Sequence, residues 1–84
     1  MLQLYDRVAL KVAVPQHGLR AGDVATLVDF VPHPAAGPRG GVLEVLNALG
    51  QSIAVVTVPE TAIEPLRADE VLSVRPLAVA GYAK

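Results

Sequence analysis

Residues 15–30 read PQHGLRAGDVATLVDF, and this stretch decides the architecture. Pro15, Gly18 and Gly22 break the chain three times within eight residues, which is too many breakers for a helix and marks an irregular corner. Asp23 then opens an apolar run, residues 24–31, that a charge interrupts only at Asp29. Val24, Thr26, Val28 and Val31 are β-branched and therefore favour a pleated surface. An apolar run of this continuity predicts a central strand covered on both faces, and a strong bend lets one such strand serve two sheets of a small barrel.

Working outward, residues 6–12 alternate, with Val8, Leu10 and Val12 on one face and Arg7, Ala9 and Lys11 on the other, the pattern of a half-buried strand. Residues 32–41, PHPAAGPRGG, contain three prolines and three glycines and read as a flexible connection. Residues 42–47 and 53–58 form a hairpin around the turn Leu49-Gly50-Gln51. Pro59-Glu60-Thr61-Ala62 predicts a single helical turn before residues 63–66 extend again. Ala68-Asp69-Glu70 reads as a turn. Residues 71–77 read as an edge strand, because Pro76 cannot donate to a central ladder, with a short helical turn over residues 69–72 as the competing reading.

These elements predict an all-β fold, a small SH3-like five-stranded antiparallel barrel or roll with at most a short helical turn. The alternative is an open roll that takes its second layer from a symmetric partner. With 84 residues the chain has material for one core, so residues 1–84 form a single domain, with residues 67–84 as an edge-strand or interface tail. A domain of this size buries only about 60 to 65% of the surface that its unfolded chain exposes, close to the lower limit of unaided stability.

Composition narrows the function classes. There is no cysteine, which excludes a disulfide framework, a thiolate metal site and a cysteine nucleophile and fits a reducing compartment. The hydrophobic fraction of 52% and mean hydropathy of +0.46 are high for a small chain and predict apolar surface left over for association. Seven basic and eight acidic residues alternate without forming blocks, so the footprint of a nucleic-acid binder is missing. MLQLYDRVAL has no basic cluster before an apolar core, and the longest uncharged stretch, residues 45–59, is too short to cross a bilayer. The expectation is a cytoplasmic protein with no membrane partner.

The segments DRVAL, PQHGLRAGDVATLVD, VLEVLNALG, SIAVVTVP, AIEPL and DEVLSVRPL, spanning residues 6–77, resemble a family of short bacterial proteins catalogued as a domain of unknown function. Its pattern runs through Pro-x-x-Gly-Leu-x-x-Gly-Asp-Val and closes on a Gly-x-Thr-x-Ala-Val-Val-Thr-Val-like strand. Ala25 stands where that pattern has glycine, and Ser52 where it has threonine. The resemblance implies a small SH3-like barrel and carries no chemistry over. Residues 18–28, GLRAGDVATLV, are also similar in cadence to KOW modules, although only Arg20 stands where those modules bring lysines.

No catalytic, cofactor or metal residue is assigned. His17 and His33, the two imidazoles, lie in proline-rich turns without ligand spacing. Gly37-Pro38-Arg39-Gly40-Gly41 runs into a strand, not into the helix N-terminus that phosphate loops use. Ser52 and Ser73 lack a nucleophile elbow, and a domain this small rarely offers a concavity of about 300 Å³. Phe30 is expected in the core or an interface, and Tyr5 and Tyr82 complete the aromatics. Asp23 is expected to fasten the corner with Gly18 and Gly22, its carboxylate accepting backbone N–H groups. His17, Arg20 and Arg39 are the candidate contact residues. The reading is a non-enzymatic protein-interaction module that self-associates as a homo-oligomer or binds a partner protein encoded nearby, in an antitoxin-like, immunity-like or accessory role. The rival is a KOW-like nucleic-acid-binding surface using Arg20, Arg39 and Lys11.

Overall fold

The computed structural model describes residues 2–33 and 35–77. Five strands, β1 (Arg7–Leu10), β2 (Val24–Val31), β3 (Gly40–Leu46), β4 (Ser52–Pro59) and β5 (Ile63–Pro65), form one antiparallel sheet in the order β4-β3-β2-β1-β5. Two 3₁₀ turns, Pro15–His17 and Glu60–Ala62, are the helical elements among the described residues. The fold is all-β. Four strands follow one another as a meander, and the chain then returns past β4 to lay β5 beside β1.

β2 holds the sheet together. Its first half pairs with β1, from Arg7↔Thr26 to Ala9↔Val24, and its second half continues along β3, from Thr26↔Glu44 to Val31↔Gly40. Between Leu27 and Asp29 the register slips by one residue, so that Val28 is an extra residue opposite β3. A bulge of this kind bends the strand and increases its twist, which is how one strand contributes to both halves of the curled sheet.

The inner face is aliphatic. Val8 and Leu10 from β1, Ala25 and Leu27 from β2, Leu43 and Val45 from β3, Val56 and Val58 from β4, and Ile63 from β5 form one buried cluster. Phe30 packs against it, half-buried. The corner between β1 and β2 adds Val14 and Leu19, whose backbones exchange N–H···O bonds of 3.0 and 3.1 Å. That bridge folds the corner over the open end of the core. Gly18, at φ 70°, ends the first 3₁₀ turn and lets the chain reverse there.

Four expectations change. β1 stops at Leu10, because Lys11 N–H donates to the Ala62 carbonyl and the chain bends away; Val12 is then 49% exposed and not part of the inner face. A 3₁₀ turn forms at Pro15–His17, inside the stretch read as irregular, because Pro15 presets the φ of its first position. Gly40 and Gly41, read as part of the flexible connection, are the first residues of β3. Gly41 lies opposite Phe30, and a Cβ there would stand 3.1 Å from Leu27 and 3.2 Å from Ile63, so any larger residue at this point of the strand presses on both side chains. Lastly, residues 71–77 form no strand. The fifth strand is Ile63–Pro65, and the described tail joins no ladder, so the edge-strand expectation fails over those residues. Residues 78–84 of the expected tail, including Tyr82, lie outside the described residues.

Candidate functional site

The corner that opens β2 carries a polar network closed from far along the chain. The Asp23 carboxylate accepts the Arg20 backbone N–H at 2.7 Å, and Asp23 N–H donates to the Arg20 carbonyl at 3.1 Å, a reciprocal pair that sets the turn around Gly22. Gly22, at φ 94°, donates its N–H to the Leu10 carbonyl at 2.7 Å and ties the turn to β1.

Arg75 completes the network. Its Nε donates to Asp23 Oδ1 at 3.1 Å, and one terminal nitrogen donates both to Asp23 Oδ2 and, at 3.1 Å, to the Gly18 carbonyl. This is the two-pronged arrangement in which a planar guanidinium matches a carboxylate. Both side chains are about three-quarters covered, at 25% and 23% exposure. The hydrogen bond to Asp23, reinforced by its negative charge and only partly offset by burial, raises the Arg75 guanidinium pKa above its ordinary value. Asp23 was legible as a corner residue; Arg75 was missed, because 52 residues separate the partners and nothing in SVRPL marks its arginine as engaged.

Leu77 packs against the core beyond this latch. Among residues 71–77 no backbone–backbone hydrogen bond joins the tail to the sheet, and Val71 and Val74 are each 90% exposed. Among the described residues, side chains alone hold the tail to the sheet. Between it and the outer sheet face lies an open groove of about 1480 Å³, with Arg7, Thr26, Glu44 and Glu64 on its strand side. Among the described residues, Arg7, Glu44 and Glu64 make no ion pair.

The three candidate contact residues are not brought together. His17 is exposed at the end of the first 3₁₀ turn, and Arg20 is exposed at the groove. Arg39 lies just before β3, its guanidinium 3.6 Å from the centre of the Phe30 ring and its Nε 2.5 Å from Glu60 Oε2. Its cation is occupied by a carboxylate and an aromatic face. Among the described residues no group of three or more His, Asp or Glu is placed to hold a metal ion.

A second surface lies at the far end of the sheet. Among the described residues β4 pairs only with β3, leaving its outer edge open. SIAVVTVP carries no charge, and Val55 is 59% exposed at its middle. Leu46 and Leu49, exposed on the adjoining strand end and hairpin, extend the apolar area. The hairpin itself is rigidly built: Asn47 Oδ1 accepts the N–H groups of Leu49 and Gln51, both at 2.9 Å.

Residues 4–65 match the model of the family described as Domain of unknown function (DUF4926). The chain belongs to that family. The match takes in all five strands and ends at Pro65, so Arg75 and the tail segment DEVLSVRPL stand beyond the matched DUF4926 residues while Asp23 stands within them. No curated protein and no solved structure matches the chain. No described helix is long and apolar enough to cross a membrane.

Proposed function

We propose that this DUF4926 chain is a non-enzymatic protein-interaction module of the cytoplasm that self-associates through the open edge of β4. The observation that carries the reading is an eight-residue, uncharged, valine-rich strand with one unpaired edge. Proteins commonly blunt such edges with charges, prolines or covering segments, because unpaired N–H and C=O groups recruit another strand. Here the strand interior from Ser52 to Val58 has neither charge nor proline. Two copies of β4 pairing antiparallel about a twofold axis set no like charges against each other. A homodimer with a continuous sheet is the simplest outcome. The same edge serves a partner protein encoded nearby, in an antitoxin-like, immunity-like or accessory role, by accepting a strand from it.

Light scattering after size exclusion, over a range of protein concentrations, tests the proposal. The expected result is a dimer that Val55→Lys converts to a monomer of unchanged stability, because surface changes away from packed features cost no more than about 0.5 kcal/mol. A monomer at all concentrations that also captures no partner overturns it. The nucleic-acid rival has lost a cation, since Arg39 is bound to Glu60 and Phe30. RNA or DNA binding that weakens steeply with salt would restore that rival.

A further inference from the structure

We propose that the corner formed by Asp23 and the Gly18 carbonyl is a guanidinium-binding site for an extended, arginine-bearing peptide segment, and that residues 70–77 occupy it in cis as a displaceable strap. The proposal rests on the reading of the domain as an interaction module, at a place separate from the β4 edge: Asp23 leads into β2, and β3 stands between β2 and β4.

Three observations carry it. The first is the form of the receptor. A carboxylate positioned by the Arg20 N–H and a neighbouring free carbonyl oxygen present acceptors to the planar fork of an arginine. A lysine ammonium, a point donor, cannot span the same set side by side. The second is the manner in which the tail is held. No ladder fixes residues 71–77; Arg75 and Leu77 anchor them, while Val71, Leu72 and Val74 face outward. An extended segment anchored by alternate side chains is how peptides sit on folded domains, and detaching this one breaks no sheet hydrogen bond. The third is the division of the chain. The receptor residues belong to the matched family segment, whereas the strap lies outside it. The acceptors thus lie in the five-stranded segment and the guanidinium in the segment that follows it.

The ligand class follows from the occupant: an extended segment with an arginine two positions before a leucine, the spacing of Arg75 and Leu77. The occupant that carries this spacing is the tail of a second copy, residues 70–77 exchanged between two chains. Release of the strap frees the Asp23 carboxylate and the Gly18 carbonyl together.

The test is a titration of the full-length chain carrying Arg75→Gln with a labelled peptide of sequence EVLSVRPL. Saturable binding is expected, about tenfold or more tighter than to the unaltered chain, whose site is available only in the fraction with the strap released. A peptide whose arginine is replaced by glutamine should not bind. Should Arg75→Gln fail to fold, the Arg75→Lys chain, which keeps the charge and loses the fork, takes its place and should show the same preference for the arginine peptide, with amide shifts at Gly18, Arg20 and Asp23. Equal binding of both peptides, or no binding to either variant at millimolar peptide, overturns the proposal. Repeating the titration with Val55→Lys added separates the two surfaces: loss of self-association with peptide binding retained leaves this site standing whatever becomes of the β4 edge.

Discussion

Arg75 and Asp23, 52 residues apart in sequence, are joined through both carboxylate oxygens, and Arg75 also reaches the Gly18 carbonyl. The first strand corner is thus tied to the segment that follows the last strand. Replacing Asp23 by alanine removes the acceptor for the Arg20 N–H as well as the partner of Arg75. The expected cost is about 2 kcal/mol, the sum of a backbone hydrogen bond and a half-buried charge-assisted one. A double-mutant cycle with Arg75→Ala, followed by urea denaturation, should return a coupling of about 1 kcal/mol. Additive effects would show that the latch contributes nothing to stability.

The latch should not weaken between neutral pH and about pH 10. Asp23 raises the Arg75 pKa in the folded chain above its unfolded value. The stability from this shift is therefore fully present below the unfolded guanidinium pKa and is lost only as pH climbs through the higher folded one. A melting temperature difference between the unaltered chain and Arg75→Ala that stays constant over that interval is the expected outcome. A difference that collapses by about pH 9 would contradict the assignment.

Gly41→Val should destabilise the domain by about 1–3 kcal/mol through overpacking. The added carbons meet Leu27 and Ile63, both fully buried, at a point where even a single Cβ is crowded. Chemical denaturation should show a lower midpoint with an unchanged slope. A neutral result would mean that the ends of the Leu27 and Ile63 side chains move aside without cost.

Arg39→Ala should cost no more than about 1 kcal/mol, because an exposed ion pair and one stacked ring are each worth a fraction of that. Arg39→Lys should recover only part of it, since an ammonium keeps the charge opposite Glu60 but not the planar stack on Phe30. Thermal melts of the two variants at low and high salt distinguish the contributions: the Glu60 share falls with salt and the stacking share persists.

Much of the fold was legible because alternation and β-branching are local. The run Val24 to Val31 announced both its extended conformation and, by its continuity, its central place, and the 3₁₀ turn at Glu60–Ala62 fell where Pro59 and Glu60 predicted it. Gly40 and Gly41 were misread because glycine ordinarily weakens a strand, and the crowding that suits glycine there, by Val31 and Thr57 at Gly40 and by Leu27 and Ile63 at Gly41, comes from other strands. The tail was misread because its valines alternate as a strand's do. Pattern shows what a segment is able to do, and here β5 takes the edge of β1 while residues 71–77 are held through Arg75 and Leu77 and form no ladder. Of the site, the corner was visible in Gly18, Gly22 and Asp23, but its closure by Arg75 was not, since a long-range ion pair leaves no periodic trace.

The pairing of β1 with β5 sets Val8 against Pro65 and Leu10 against Ile63, so the family segment begins and ends side by side. Tension applied across those two ends would peel apart a three-residue ladder one rung at a time, the weakest way to load a sheet. Traction on Arg75 is borne by Asp23 and the Gly18 carbonyl, at the corner that opens β2. The strap thus offers such a load a second path, through the corner of β2 beside the three residues of β5.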